Sequence, residues 1–168
     1  YRINGYAEGR VATGSTELQN PTTVYNGVDY KLVYDYNYYI NKYPDIKAAF
    51  NGDENATLRH FVECGMNEGR QGKASFNVAA YRANYADLRS AFGRNLKAYY
   101  MHYIGSGYRE GRKATGNGVL KNPVTVYNGV DYSLVYDYNY YISKYSDLKA
   151  AFYGDDTAAL RHFVECGM

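Results

Sequence analysis

The stretch YDYNYYINKYPDIKAAFNGDENATLRHFVECGMNEGR, Tyr34 to Arg70, decides how this chain folds. Within it Tyr39, Tyr43, Ile46 and Phe50 follow one another at helical spacing, the stripe of an amphipathic helix. Asp35 stands where an N-cap belongs, and Tyr34 just before it suits a hydrophobic staple. Pro44 interrupts the run. Because proline lacks the N–H that a helix interior needs, a kink or a short second helix is expected to begin there. A further helix is predicted after Gly52-Asp53. It carries Leu58, Phe61 and Val62 inward and is expected to stop at Gly65, acting as a left-handed C′ residue. The stretch reads as a small helical hairpin.

It is written more than once. Sliding the chain along itself sets Tyr1 to Met66 over Tyr103 to Met168 without a gap, with roughly three-quarters of positions identical. A weaker repeat is nested inside. YPDIKAAF (Tyr43 to Phe50) falls over YADLRSAF (Tyr85 to Phe92), His60 over His102, and NEGR (Asn67 to Arg70) over REGR (Arg109 to Arg112). A third copy is YSDLKAAF, Tyr145 to Phe152. Asn77 and Asp137 repeat the cap, and Phe76 and Tyr136 repeat the staple. Pro44 becomes Ala86 and Ser146.

Between units lies VYNGVDY, at Val24 to Tyr30 and again at Val126 to Tyr132. Asn-Gly between alternating apolar runs signals a hairpin, because both central residues of a type I′ turn need positive φ. Thr23, Val24 and Tyr25 are thus expected to pair with Val28, Asp29 and Tyr30, and the hairpin must lie on something to persist. A single helical unit buries too little surface to fold alone, whereas stacked neighbours bury enough.

The fold expected is therefore mainly α, a tandem array of helical hairpins with small β-hairpin inserts. Residues 1–12 read as the end of a preceding B-type unit and 13–33 as a linker with its hairpin. Residues 34–75 read as unit A and 76–114 as unit B. Residues 115–135 form the second linker, and 136–168 a second, truncated unit A. Both ends fall inside units, as in a fragment of a longer array.

The units and linkers together resemble the tandem repeats of large secreted and cell-surface proteins of gut Firmicutes. There, YNGVDY linkers separate units of the form YYxxxYPDLxxAFGxDxxxLxxHFxxxGxxEGR. The resemblance covers essentially the whole chain. It implies an extracellular module without a catalytic role, set beside varied domains that include cell-wall hydrolases. Some surface proteins of these commensals are similar to superantigens that bind immunoglobulin variable domains outside the antigen site. The implied partner is thus a host protein, most specifically such a variable domain. The alternative is a glycan or cell-wall-binding spacer that holds an enzyme at the bacterial surface.

Composition is compatible with either. Formal charge is +2, with Lys and Arg dispersed among Asp and Glu, so no field argues for nucleic acid or an anionic membrane. No apolar run approaches a membrane span. Tyrosine is the anomaly: 23 Tyr against 6 Phe and no Trp. Tyr serves both binding surfaces and thin, wet cores, so position must decide between the two. Tyr39, Tyr43 and Phe50 stay aromatic in unit B and read as core. Tyr36 and Tyr38 become Val78 and Ala80 there, so they either pack on the hairpin or form an exposed face particular to unit A. Tyr25 and Tyr30 divide the same way. The candidate partner face is Tyr25, Asp29, Tyr30, Tyr36 and Tyr38, with Tyr127, Asp131, Tyr132, Tyr138 and Tyr140 in the second copy.

Candidates for chemistry fare poorly. His60, His102 and His162 recur once per unit at one position, and a catalytic base is seldom copied into every unit. They read as structural, with Asp45 as a partner for the ring. No spacing fits a metal site or a phosphate loop, so neither metal nor cofactor is expected. Cys64 and Cys166 are replaced by Ser106 in unit B, which argues against an obligatory disulfide and reads as small buried thiols. Glu8-Gly9-Arg10, Glu68-Gly69-Arg70 and Glu110-Gly111-Arg112 read as turns whose charges pair onto the neighbouring helix. No nucleophile, base and orienter cluster is visible, so no enzyme is expected.

Overall fold

A computed structural model describes residues 17–168. The unit end expected at residues 1–12, with its Glu8-Gly9-Arg10 turn, lies outside the described residues.

The chain is mainly helical with two small antiparallel hairpins. The first pairs β1 (Val24–Tyr25) with β2 (Val28–Asp29), and the second pairs β3 (Val126–Tyr127) with β4 (Val130–Asp131). Their register is the expected one: Val24 opposite Asp29, Tyr25 opposite Val28, and Tyr30 N–H donating to Thr23 O at 2.8 Å. Asn26 and Gly27 adopt φ of 48° and 78°, the positive values that the Asn-Gly turn requires.

Each unit holds three short helices, so of the two expected outcomes at Pro44 a short second helix is found and not a kink. Unit A has α1 (Tyr36–Lys42), α2 (Pro44–Phe50) and α3 (Glu54–His60). Unit B has α4 (Val78–Asn84), α5 (Ala86–Phe92) and α6 (Leu96–His102). The second unit A has α7 (Tyr138–Lys144), α8 (Ser146–Phe152) and α9 (Asp156–His162). The third helix of each unit runs on into a π-helical turn: Phe61–Gly65, Tyr103–Gly107 and Phe163–Gly167. Helices of this length are not stable by themselves, so packing must hold them. The first helix of each unit is capped as predicted. The Asp35, Asn77 and Asp137 side chains accept from the N–H of Tyr38, Ala80 and Tyr140 at 2.8, 3.0 and 2.7 Å.

The first break is not a proline effect. Tyr43, Tyr85 and Tyr145 are all extended there, with φ between −120° and −130°, although only one precedes a proline. The tyrosine itself is held. The Tyr43 hydroxyl accepts from Gln71 N–H at 2.8 Å and the Tyr85 hydroxyl from Lys113 N–H at 2.6 Å, tying the break to the end of the same unit. Asp35 N–H also donates to Gly72 O (2.9 Å) and Asn77 N–H to Ala114 O (2.8 Å), so each of these two units closes on itself.

Gly65 corrects a second expectation. It is buried within the π-helical turn rather than left-handed. A Cβ there would stand 2.6 Å from the Tyr39 hydroxyl, so the position calls for close approach and not for positive φ.

Units A and B share one aromatic core. Phe61 contacts Tyr34 and Tyr39 on its own side and Tyr100 across the junction, with ring centroids 5.0, 5.3 and 5.9 Å apart; Tyr100 in turn lies 5.0 Å from Phe76. Leu58 and Phe61 are buried as expected, whereas Tyr43 and Phe50 pack half-buried at its edge. Burial pushes the Tyr34 and Tyr100 hydroxyls well above their ordinary pKa. The second unit A builds a separate cluster around Tyr136, Tyr141 and Leu160, and it meets unit B through arginines.

Candidate partner-binding face

The ten residues expected to form the partner face do not come together as one surface. Tyr36 is 1% exposed, and its hydroxyl accepts from Gly52 N–H at 3.1 Å. Tyr138 repeats this, accepting from Gly154 N–H at 2.7 Å and donating to Phe152 O at 3.0 Å. Both are core residues of α1 and α7 whose polar tip is satisfied by the loop after the second helix, so neither is presented to a partner. Tyr30 is also buried and Tyr132 half-buried, because the chain folds over them directly after the hairpin. Val33 N–H and Tyr34 N–H both donate to Tyr30 O.

Asp29 and Asp131 hold the hairpin base. Asp29 accepts from Thr23 Oγ1 at 2.7 Å and Lys31 N–H at 3.0 Å, with the Lys31 ammonium 3.2 Å away. Burial pushes its carboxyl up, but these hydrogen bonds outweigh it and keep the group below its ordinary pKa. The Ser133 N–H, and after it Thr125, lowers Asp131 likewise.

Tyr38 and Tyr140 do reach solvent. Tyr38 lies along a shallow groove with Asp35, Asn37, Asn41 and Lys42, the Lys42 ammonium 5.5 Å from its ring centre. Tyr140 is 65% exposed.

The hairpin lies elsewhere, against the third helix of its unit and not against α1. Tyr25 donates to Glu63 Oε1 at 2.5 Å, and Thr22 N–H donates to Glu54 Oε2 at 2.6 Å. The second hairpin is fastened in the same way, Tyr127 to Glu165 and Val124 N–H to Asp156. The carboxylate partner, Glu63 for Tyr25 and Glu165 for Tyr127, is the main reason each phenol sits above its ordinary pKa. What remains is a groove of about 280 Å³ between the hairpin and α3, walled by Val24, Tyr25, Asn55, Ala56 and Arg59. Val24 is more than half exposed at its rim, and its copy Val126 in the second hairpin is exposed to a similar degree.

Each histidine has a tyrosine as its partner and not the carboxylate expected. Hydrogen bonds join the Nδ1 atoms of His60, His102 and His162 to the hydroxyls of Tyr39, Tyr81 and Tyr141 at 3.2, 2.9 and 3.1 Å. Asp45 instead pairs with Arg70 at 2.7 Å. Arg70 also takes Glu68 at 2.5 Å and stacks on Tyr43, and Gly69 between them has φ of 73°. Arg112 repeats the set with Asp87, Glu110 and Tyr85. The two described Glu-Gly-Arg turns are clasps, as their sequence suggests.

Cys64 and Cys166 are free and exposed, against the expectation of buried thiols. The inner positions of the first π-helical turn belong to Phe61, Val62 and Gly65, which leaves Glu63 and Cys64 outside. Among the described residues, no group of His, Cys, Asp or Glu could hold a metal ion, and no helix is long and apolar enough to cross a membrane.

Two arginines escaped the sequence reading. Arg89 is 5% exposed and binds Asp156 at 3.3 Å while donating to the carbonyls of Arg82, Ala83, Lys121 and Asn122. It pins the second linker and the second unit A to unit B. Its signal was faint: arginine stands where both A units carry lysine, Lys47 and Lys149. Arg82 is the other. In comparisons with known proteins, the chain matches no family model, no curated protein and no solved structure.

Proposed function

We propose that this chain is a non-catalytic, extracellular repeat module that binds a host protein through its hairpin faces, most specifically an immunoglobulin variable domain. One observation carries the reading. The hairpin is presented twice with the same exposed valine and the same tyrosine anchored to the same glutamate, Tyr25 to Glu63 and Tyr127 to Glu165. A rigid apolar rim beside a polar groove offers a small anchor, and duplication lets weak contacts add as avidity. The variable-domain partner and the surface location rest on the resemblance of the repeats to those of gut Firmicutes.

The test is capture of the chain by secretory immunoglobulin A against capture by purified peptidoglycan. Immunoglobulin is expected to retain the chain. The double variant Val24→Asp, Val126→Asp should lose roughly tenfold or more in affinity with its helicity unchanged, as for a central anchor. Undiminished capture of that variant would remove the hairpin from the binding face. Retention by peptidoglycan alone would favour a cell-wall spacer, a reading that draws on the groove beside Tyr38. There an aromatic ring lies among Asn37, Asn41 and Asp35, an arrangement suited to a sugar ring.

A further inference from the structure

Arg82 is not an arginine that the fold of a unit requires. On α4 it occupies the place that Ile40 and Ile142 hold in the two A units, a buried core position in both. The fold of a unit is therefore satisfied by an aliphatic side chain there. Yet Arg82 is only 9% exposed, and a buried guanidinium is costly unless it is paired.

It is not paired. Unit B turns three arginines toward the second unit A, which answers with two aspartates. Arg89 takes Asp156 and Arg94 takes Asp155, at 3.3 and 2.8 Å. Among the described residues no carboxylate lies within ion-pair distance of Arg82, and its buried Nε makes no hydrogen bond. The guanidinium rests instead on Gly154, where a Cβ would come within 2.8 Å of Nη1, and 6.0 Å from the centre of the Tyr99 ring.

A cavity adjoins it. About 290 Å³ of space lies where the end of unit A, unit B and the second linker meet, with Arg82 in its wall and Val78, Leu96, Leu120 and Tyr153 around it. Glu68 is at the rim, but Arg70 at 2.5 Å compensates its charge.

We propose that this cavity is a binding site for a small monocarboxylate with a short aliphatic body, its carboxylate on Arg82 and its chain along Val78, Leu96 and Leu120. A single cation in an apolar enclosure suits a carboxylate, which a guanidinium fork receives through two parallel hydrogen bonds. A phosphate would need more donors than these walls supply. The site belongs to the junction of unit B with its neighbours, so it is independent of the hairpin faces.

The probe is hexanoate, titrated into the full chain and followed by amide shifts and calorimetry, with 1-hexanol as the uncharged control. Saturable binding of hexanoate is expected at millimolar concentration, with shifts at Gly118, Leu120 and Tyr153, and hexanol should bind roughly tenfold more weakly or worse. Arg82→Ile, which installs the residue of the A units, should abolish the preference for hexanoate. Ala79→Leu, on the cavity wall, should weaken binding while leaving the guanidinium in place, and it serves if the first variant fails to fold. Absence of saturable binding, equal binding of hexanol, or wild-type affinity in whichever variant folds would each overturn the proposal.

Discussion

Val33 and Val135 stand in two copies of one string, LVYDYNYYI, yet the first is fully buried and the second 67% exposed. Leu32 and Leu134 differ in the same sense, as do Phe61, which is buried, and Phe163, which is half-buried. The sequence around each pair is the same, so the cause lies in segments farther along the chain. At its end unit A lays Gly72 against Val33 and Phe61 and reaches from Lys73 Nζ back to Lys31 O at 2.6 Å, and unit B then brings Tyr100 of α6 onto Phe61. Unit A thus completes its core with its own end and the unit that comes after it.

The largest expected effect tests that directly. Phe61→Ala removes a ring with neighbours on both sides and should cost about 3–5 kcal/mol, whereas Phe163→Ala should cost less than half as much. Urea denaturation of the two variants of the full chain measures the difference. Equal losses would break the comparison. Next in size, Val33→Ala should destabilise by about 1–2 kcal/mol through lost apolar burial, and Val135→Ala by no more than about 0.5 kcal/mol. Amide exchange in α1 and α7 reports the two sites separately.

The smallest effect sharpens the comparison from the other side. The hydroxyls of Tyr34 and Tyr136 are buried without a hydrogen-bond partner, while unit B carries Phe76 at that place. Tyr34→Phe should therefore leave stability unchanged or raise it by up to about 1 kcal/mol, because an unsatisfied buried hydroxyl is removed. Tyr136→Phe should do less, since its cluster is more open. A loss of about 1 kcal/mol or more on Tyr34→Phe would mean that this hydroxyl is satisfied in solution.

Much of the fold was legible because its signals are local or periodic. The caps at Asp35, Asn77 and Asp137, the Asn-Gly hairpins and the Glu-Gly-Arg clasps each act within a few residues or one unit. Other expectations failed where the cause was a neighbour in space. Pro44 looks like the cause of the helix break, yet the break persists before Ala86 and Ser146, and in units A and B the tyrosine ahead of it is bonded to the unit's end. Gly65 looks like a terminator, but the Tyr39 hydroxyl is what excludes a side chain there. The exchange of Cys64 for Ser106 resembles a core substitution, yet Cys64 is exposed. Of the candidate face, the hairpins and their repetition were readable, but the inward turn of Tyr36 and Tyr138 was not. Replacement by Val78 is equally compatible with a buried site and an open one.

By itself, the sequence determined the units, their caps and turns, and the mainly helical class, since periodicity and local hydrogen bonding act between residues close along the chain. Only the tertiary structure decided which tyrosines are inside, how Arg89 locks one junction, and that Arg82 lies beside a cavity without an ion pair of its own. Those outcomes depend on groups that the chain brings together from different units, where identical strings such as LVYDYNYYI meet different surroundings.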